Sequence, residues 1–369
     1  MRRKDETSAP SFILHPSSFI LPPMSLLRIA SVGCGPRGDA HMAAMRASGA
    51  VELIAACDLH EERLRTVGGK HGVPRLYRDI EEMIRRERPD LVDIVTPPTV
   101  RVGIVEAAIA AGARNVLIEK PIGLRPSECR QLAELGRSCF IAVNTQYPWM
   151  PHWRRFWDLI GSGALGDVRT IRCGTRTNIL EQGPHVLGLA LRAASLAGLP
   201  DPEWVLAAAA GVERIGQVPV PADVSATIGL GEARLFWNQG PSAAEVPGET
   251  VYWFHIQTEI IGTRGRLWVS LNRGWELWLE GRHERGDTAW PRDDVLAQAA
   301  MFVELRDRIL DGTTADFPAR VEVAARHADL MFACYASALG NARINLPVRL
   351  DDWVVDQVAV LGAFGGPGV

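Results

Sequence analysis

The residues with the clearest chemistry are Gly33, Gly35 and Gly38, spaced G-x-G-x-x-G within Gly33-Cys34-Gly35-Pro36-Arg37-Gly38. Gly33 suits a tight turn, Gly35 lets the backbone approach a pyrophosphate, and Gly38 lets a helix pack close to a strand. Pro36 fits the first turn of a helix, where its missing N–H would be unpaired anyway. The free N–H groups and positive end of such a helix attract phosphate. Asp58 follows 20 residues beyond Gly38, where a carboxylate can accept both hydroxyls of an adenosine ribose. It would repel a 2′-phosphate, so NAD(H) is the expected cofactor, with NADP(H) not excluded. Arg63, one helical turn on, is expected to face solvent.

The elements that must hold these residues can be read in order. Leu27 to Val32 is a short apolar run with β-branched residues, as in a buried parallel strand, and Val51 to Cys57 is a second that ends at Asp58. Helical patterns cover Glu61–His71, Asp79–Arg86, Val100–Ala111 and Ser127–Gly136. Between them lie strand patterns at Leu91–Val95, Asn115–Ile118 and Phe140–Val143. Strands alternating with helices of this length predict a parallel sheet covered on both faces, a Rossmann domain over residues 24–145. Ligands bind at the carboxyl ends of such strands. Gly33, Asp58, Thr96-Pro97-Pro98 and Glu119-Lys120-Pro121 all fall there.

The pattern changes near residue 145. Tyr147–Ile160 reads as an aromatic-rich helix, and from Val168 the strands alternate polar and apolar residues, as half-buried antiparallel strands do. The strand patterns are Val168–Arg176, Val224–Leu230, Arg234–Trp237, Trp253–Ile261, Arg266–Leu271 and Trp275–Leu279. A helix at Pro184–Leu196 interrupts them, and Ala297–Leu310 and Arg320–Leu339 are long amphipathic helices. Residues 146–369 are therefore expected to form an α+β domain with a large open, mostly antiparallel sheet, for substrate binding and oligomerisation. One apolar sheet face cannot stay in water, so a homodimer or homotetramer is expected, with Trp253, Ile261, Trp268 and Trp278 as candidates for the covered face. Eleven tryptophans are read chiefly as packing. Trp237, followed by Asn238 and Gln239, could instead edge a sugar pocket.

Composition bounds the rest. With 47% hydrophobic and 22% charged residues the chain reads as a soluble globular protein. Its net charge of −3 offers no argument for nucleic acid or an anionic membrane. Six scattered cysteines, without a C-x-x-C pair, fit reduced thiols in the cytoplasm and argue against a zinc site. Nothing is long and apolar enough to span a membrane. Residues 1–23, with the near-repeat Ser11-Phe12-Ile13-Leu14 and Ser18-Phe19-Ile20-Leu21, read as a disordered tail or an overlong start.

The glycine fingerprint, Asp58, and Glu119-Lys120-Pro121 closing the Asn115–Ile118 strand together resemble the Gfo/Idh/MocA family of sugar and polyol dehydrogenases. Supporting stretches are Gly163-Ala164-Leu165-Gly166-Asp167-Val168, Ile261-Gly262-Thr263-Arg264-Gly265 and Tyr335-Ala336-Ser337-Ala338. The resemblance implies a hydride transfer between a nicotinamide and a secondary alcohol of a sugar, sugar acid or cyclitol. It places Lys120 between nicotinamide and substrate, where a desolvated ammonium can exchange a proton with a hydroxyl. The family's Asp-x-Gly-x-His element reads Glu181-Gln182-Gly183-Pro184-His185 here, which implies His185 as base and Glu181 as its companion acid. The implied cofactor set is Gly33, Gly35, Pro36, Arg37, Gly38, Asp58, Thr96, Pro97, Glu119 and Lys120. Arg101 and Gly188 stand where the family usually has a histidine and an acid. Some relatives cleave glycosides through a transient NAD-dependent oxidation, and a non-catalytic dinucleotide or sugar sensor is the remaining alternative.

Overall fold

The computed structural model describes residues 25–364, so the expectation for residues 1–23 lies outside the described residues. The chain first lays down β1 (Leu27–Val32), α1 (Pro36–Ser48), β2 (Val51–Cys57), α2 (Glu61–Lys70) and β3 (Leu76–Tyr77). Next come α3 (Ile80–Glu87), β4 (Leu91–Ile94), α4 (Pro98–Ala110), β5 (Asn115–Glu119), α5 (Pro126–Leu135) and β6 (Phe140–Asn144). Their sheet has the order β3-β2-β1-β4-β5-β6, with every neighbour parallel. All four residues of β4 and all five of β6 are buried, as strands covered on both faces must be. The strand order reverses between β1 and β4, and a crevice for ligands opens at that point.

The second half contains α6 (Pro151–Gly161), β7 (Val168–Thr175), α7 (Gly183–Leu196), β8 (Trp204–Ile215), β9 (Val218–Leu230) and β10 (Ala233–Gln239). It continues with β11 (Ile256–Gly262), β12 (Gly265–Ser270), β13 (Trp275–Leu279) and β14 (Arg282–Gly286). It then adds α8 (Arg292–Leu310), α9 (Val321–Gly340), β15 (Ile344–Asn345) and α10 (Trp353–Asp356). The nine strands run β14-β13-β12-β11-β7-β10-β9-β8-β15, antiparallel except for the β7–β10 pair. Among the described residues no helix is long and apolar enough to cross a membrane.

Three strands of the second half escape the sequence pattern, as does the two-residue β3 of the first. β8 carries Ala207-Ala208-Ala209-Ala210-Gly211, which has neither β-branched residues nor alternation. Its pairing with β9 makes it a strand, and Gly229 of β9 leaves room for the Trp204 indole. β14 is polar and β15 is two residues long, so neither has a core face to signal it. β9 also starts six residues earlier than the pattern, at Val218.

Trp253 lies in a 3₁₀ turn ahead of β11, not in the strand, while Trp268 and Trp278 stand half-buried on the sheet face opposite the helices. Trp237 is 0% exposed. Its indole lies 3.1 Å from where a Cβ on Gly183 would sit, so it packs beneath α7 as core rather than edging a pocket.

Helices from the second half return to the first sheet. The amide of Val143 donates to the carbonyl of Ala319, just before α9, at 2.8 Å. Arg37 on α1 lies 3.8 Å from Asp294 at the start of α8.

Candidate active site

The β1–α1 turn is built from backbone meeting backbone. Gly33 has φ +98°, and a Cβ there would sit 2.4 Å from the carbonyl oxygen of Val95. A Cβ on Gly38 would sit 2.0 Å from the carbonyl oxygen of Gly33, so the helix start lies directly on the turn. Around Gly35 there is open space within 4 Å, and no side chain caps the first turn of α1. These unfilled N–H groups beside a clear approach fit a bound pyrophosphate. The turn opens into a cavity of about 960 Å³. Gly33, Gly35, Pro36, Arg37, Gly38, Asp58, Thr96, Pro97, Glu119 and Lys120 all line it.

Asp58 closes the far end. It accepts from the amides of Cys34 and His60, each at 2.7 Å. Arg63 is exposed, as expected, and in addition its Nε and Nη2 donate to the two Asp58 oxygens at 3.0 and 2.8 Å. A planar guanidinium matches the buried carboxylate bidentately while the rest of the arginine stays in water. Burial alone would raise the Asp58 pKa, but Arg63 and the two amides together hold it below the usual carboxylate range.

Glu119 ends β5 inside a network that sequence does not reveal. Arg37 and His41, one turn apart on α1, donate to its Oε1, each at 2.8 Å. Asn144 at the end of β6 donates to the same oxygen at 2.7 Å. The other ring nitrogen of His41 lies 3.1 Å from Asp93 on β4. Burial would strip His41 of its proton, but Asp93 and Glu119 on either side raise its pKa to about 9. Burial would likewise raise the Glu119 pKa, but Arg37, His41 and Lys120 bring it well below its ordinary value.

Lys120 follows directly, its Nζ donating to the carbonyl of Glu181 at 2.7 Å. Burial lowers its pKa against the pull of Glu119. Arg101, 1% exposed, donates to the carbonyl of Pro121 and, at 2.7 Å, to that of Thr96. It thereby ties the loop after β5 to the loop after β4, a role that the residue type alone gives no means of foreseeing. Desolvation lowers its pKa to about 10.

α7 brings His185 to the same place. The helix begins at Gly183, so Pro184 is its second residue and His185 its third. The Tyr147 ring stacks on the imidazole at 4.0 Å, and Nδ1 is buried without a partner. Burial and then the Lys120 charge drive the His185 pKa well below its ordinary value, so the ring is neutral. Glu181 touches Lys120 through its backbone. Its half-buried carboxyl has a pKa raised by desolvation, and Glu181 is not among the residues that line the cavity. Among the described residues no group of side chains could hold a metal ion.

A glycine-rich turn feeding α1, an acid after β2, and a second domain laying a helix against the end of β5 give the chain a Rossmann domain of the dinucleotide-binding kind. Residues 27–140 match the GFO_IDH_MocA model, the "Oxidoreductase family, NAD-binding Rossmann fold", and this stretch is similar to that family. It is 32% identical to a D-apiose dehydrogenase of Paraburkholderia graminis over 139 residues, 37% of each chain. It is 27% identical over 141 residues to a glycosyl hydrolase family 109 protein of Shewanella sp. (strain MR-4), 35% of this chain and 30% of that one. The chain thus spans less than half the length of the curated relatives it matches. A solved levoglucosan dehydrogenase, in complex with NADH and levoglucosan, superposes with TM-score 0.73 at 18% identity, over 88% of this chain and 100% of the other. That likeness concerns the fold.

Proposed function

We propose that this chain is an NAD(H)-dependent oxidoreductase acting on a secondary alcohol of a sugar, sugar acid or cyclitol. One observation carries the reading. The cofactor-sized cavity and a second cavity, between α7 and α9, share two lining residues only, Lys120 and His185. A cofactor on one side and a substrate on the other would meet at the two groups able to move a proton.

A bound nicotinamide dinucleotide supplies the hydride acceptor and donor. The α1 N-terminus holds its phosphates and Asp58 its ribose. Lys120 polarises the substrate oxygen from the point fixed by the Glu181 carbonyl. His185, neutral and with a free ring nitrogen, takes the hydroxyl proton during oxidation and returns it in reduction. Glu181 is a companion acid: its carbonyl holds the Lys120 ammonium across the two domains, and its charge raises the Lys120 pKa against burial. Residues 24–145 act as the cofactor domain and residues 146–369 as the substrate domain. The open sheet face with Trp268 and Trp278 joins copies into a homodimer or homotetramer, working in the cytoplasm.

The test is a screen of polyols, sugars and sugar acids for NAD reduction by the purified protein, with product analysis. At least one should reduce NAD with formation of the matching carbonyl compound. The family 109 relative favours a second reading, glycoside cleavage with NAD regenerated in each turnover, and a glycoside split without net NADH is its signature. Neither outcome from a broad panel would leave the sensor alternative.

Cofactor choice gives a separate expectation. NAD(H) should bind more tightly than NADP(H), because Asp58 meets the ribose. Arg63 narrows the margin, since its guanidinium can turn from Asp58 to a 2′-phosphate. Arg63→Ala should weaken NADP(H) binding roughly tenfold, the scale of one charge-assisted hydrogen bond, with little change for NAD(H). Quenching of tryptophan fluorescence measures both. Tighter NADP(H) than NAD(H) binding by the unaltered protein would remove Asp58 from its assigned role.

A further inference from the structure

Of the eleven tryptophans, Trp290 alone lines the cavity beside the β1–α1 turn. It stands between β14 and α8, so the second domain supplies it. The backbone there is fixed. Thr288 accepts from the Gly274 amide at 2.7 Å and donates to the Ser270 carbonyl at 3.0 Å. The Trp290 amide donates to Asn272 at 3.1 Å, and the Asp293 carboxylate accepts from the Ala289 amide at 2.9 Å. On one side the indole leans on Phe254, with ring centres 5.1 Å apart and a tilt of 47°. It still stays 42% exposed.

The other second-domain residues in this lining, Gln146, Tyr147, Gln182, His185 and Asp294, are buried or half-buried. Trp290 is therefore the broad apolar surface that this domain leaves open to the cavity. Its place along the cavity follows from Asp294, four residues on. That carboxylate lies 3.8 Å from Arg37, and Arg37 bonds Glu119, the neighbour of Lys120. Trp290 thus belongs to the half that runs from the phosphate turn to Lys120, away from Asp58. An indole that stays exposed on a fixed backbone keeps apolar surface in water, and a ligand in the cavity is what can cover it.

We propose that Trp290 covers the nicotinamide riboside half of the bound dinucleotide, so that the second domain grips the cofactor as well as the substrate. The proposal rests on the oxidoreductase reading and adds to it a contact that the glycine turn and Asp58 do not supply. An anionic pyrophosphate gains nothing from the negative face of an indole, whereas ribose carbons and a nicotinamide ring pack well on it. The adenosine half lies beyond its reach.

The experiment is a calorimetric titration of the full chain and of Trp290→Ala with NAD, NADH and AMP, which carries only the adenosine half. Trp290→Ala should weaken NAD and NADH about tenfold, the worth of roughly 55 Å² of apolar surface taken out of water, and leave AMP unchanged. Trp290→Phe, which keeps a flat ring, should recover most of the loss. Should the alanine variant not fold, oxidation of the unaltered protein by N-bromosuccinimide decides the matter, with the modified tryptophans located by peptide mass. NAD should protect Trp290 where AMP does not, while Trp253 and Trp353, 48% and 51% exposed, react in either case. Equal NAD affinity in the two proteins, or equal oxidation of Trp290 with and without NAD, would overturn the cover and leave the oxidoreductase reading intact. An equal loss of AMP binding would also overturn it, because the effect would then lie in the fold. An unaltered protein that binds neither NAD nor NADH would remove the dinucleotide reading itself, and the cover with it.

Discussion

Lys120→Ala should lower turnover on a substrate of this chain by 10²-fold or more while leaving NAD affinity nearly unchanged. The ammonium is held against the Glu181 carbonyl at 2.7 Å and faces both cavities, so its loss removes a positioned acid at the reacting oxygen. The phosphate and ribose contacts, at the α1 turn and Asp58, remain. His185→Ala should lose a similar factor, most strongly near neutral pH, where a neutral ring is the working form. Asp58→Ala should do the reverse, raising the cofactor KM and sparing kcat at saturation. Steady-state kinetics with a fluorescence titration of NAD separate these effects. Near-normal turnover in both Lys120→Ala and His185→Ala would show that neither residue has the assigned role.

The second large effect is on stability at alkaline pH. The pKa of His41 rises to about 9 in the folded chain, against about 6.5 unfolded. A raised value means the folded state holds the proton more tightly. Its stabilisation is therefore complete below about pH 6.5 and is lost as pH climbs through 9. For a fully buried group the difference amounts to on the order of 3 kcal/mol. Urea midpoints at pH 6.5 and 9 should show this fall in the unaltered protein, and His41→Gln, which cannot titrate, should flatten it. An equally steep fall in the variant would exclude His41 as its source. His41→Leu should be worse at every pH, because Asp93 and Glu119 would keep buried charge without the imidazolium, a loss of about 3–5 kcal/mol by analogy with broken buried pairs.

Sequence discloses the parts of this site that are local and hides those that are not. The β1–α1 turn, Asp58 and Glu119-Lys120-Pro121 each sit within a few residues of a strand end, so strand, turn and helix patterns place them. Thr96 and Pro97 follow for the same reason. His41 does not, because its meaning depends on Asp93 and Glu119, 52 and 78 residues away, and an alanine-rich helix gives no hint of them. Arg63 reads as an exposed helical arginine and is one, and only the fold shows that its fork meets Asp58. The alanines of β8 carry no strand preference of their own, and the neighbouring β9 supplies it. Trp237 shares the composition of a pocket edge but lies below α7, a matter of which sheet face turns inward and not of residue type.

The glycine pair at the β1–α1 turn also bears on how such a chain can change over time. The fold is kept at 18% identity to the levoglucosan dehydrogenase, so most side chains can be exchanged while their neighbours adapt. At positions 33 and 38 adaptation is closed off. The obstacles are the carbonyl oxygens of Val95 and Gly33, atoms that every amino acid carries, and no second substitution can make either one smaller. Drift can therefore reshape the walls of the cavity between α7 and α9, which are made of side chains. The two glycines of the turn that would grip the pyrophosphate, at 33 and 38, have no such freedom.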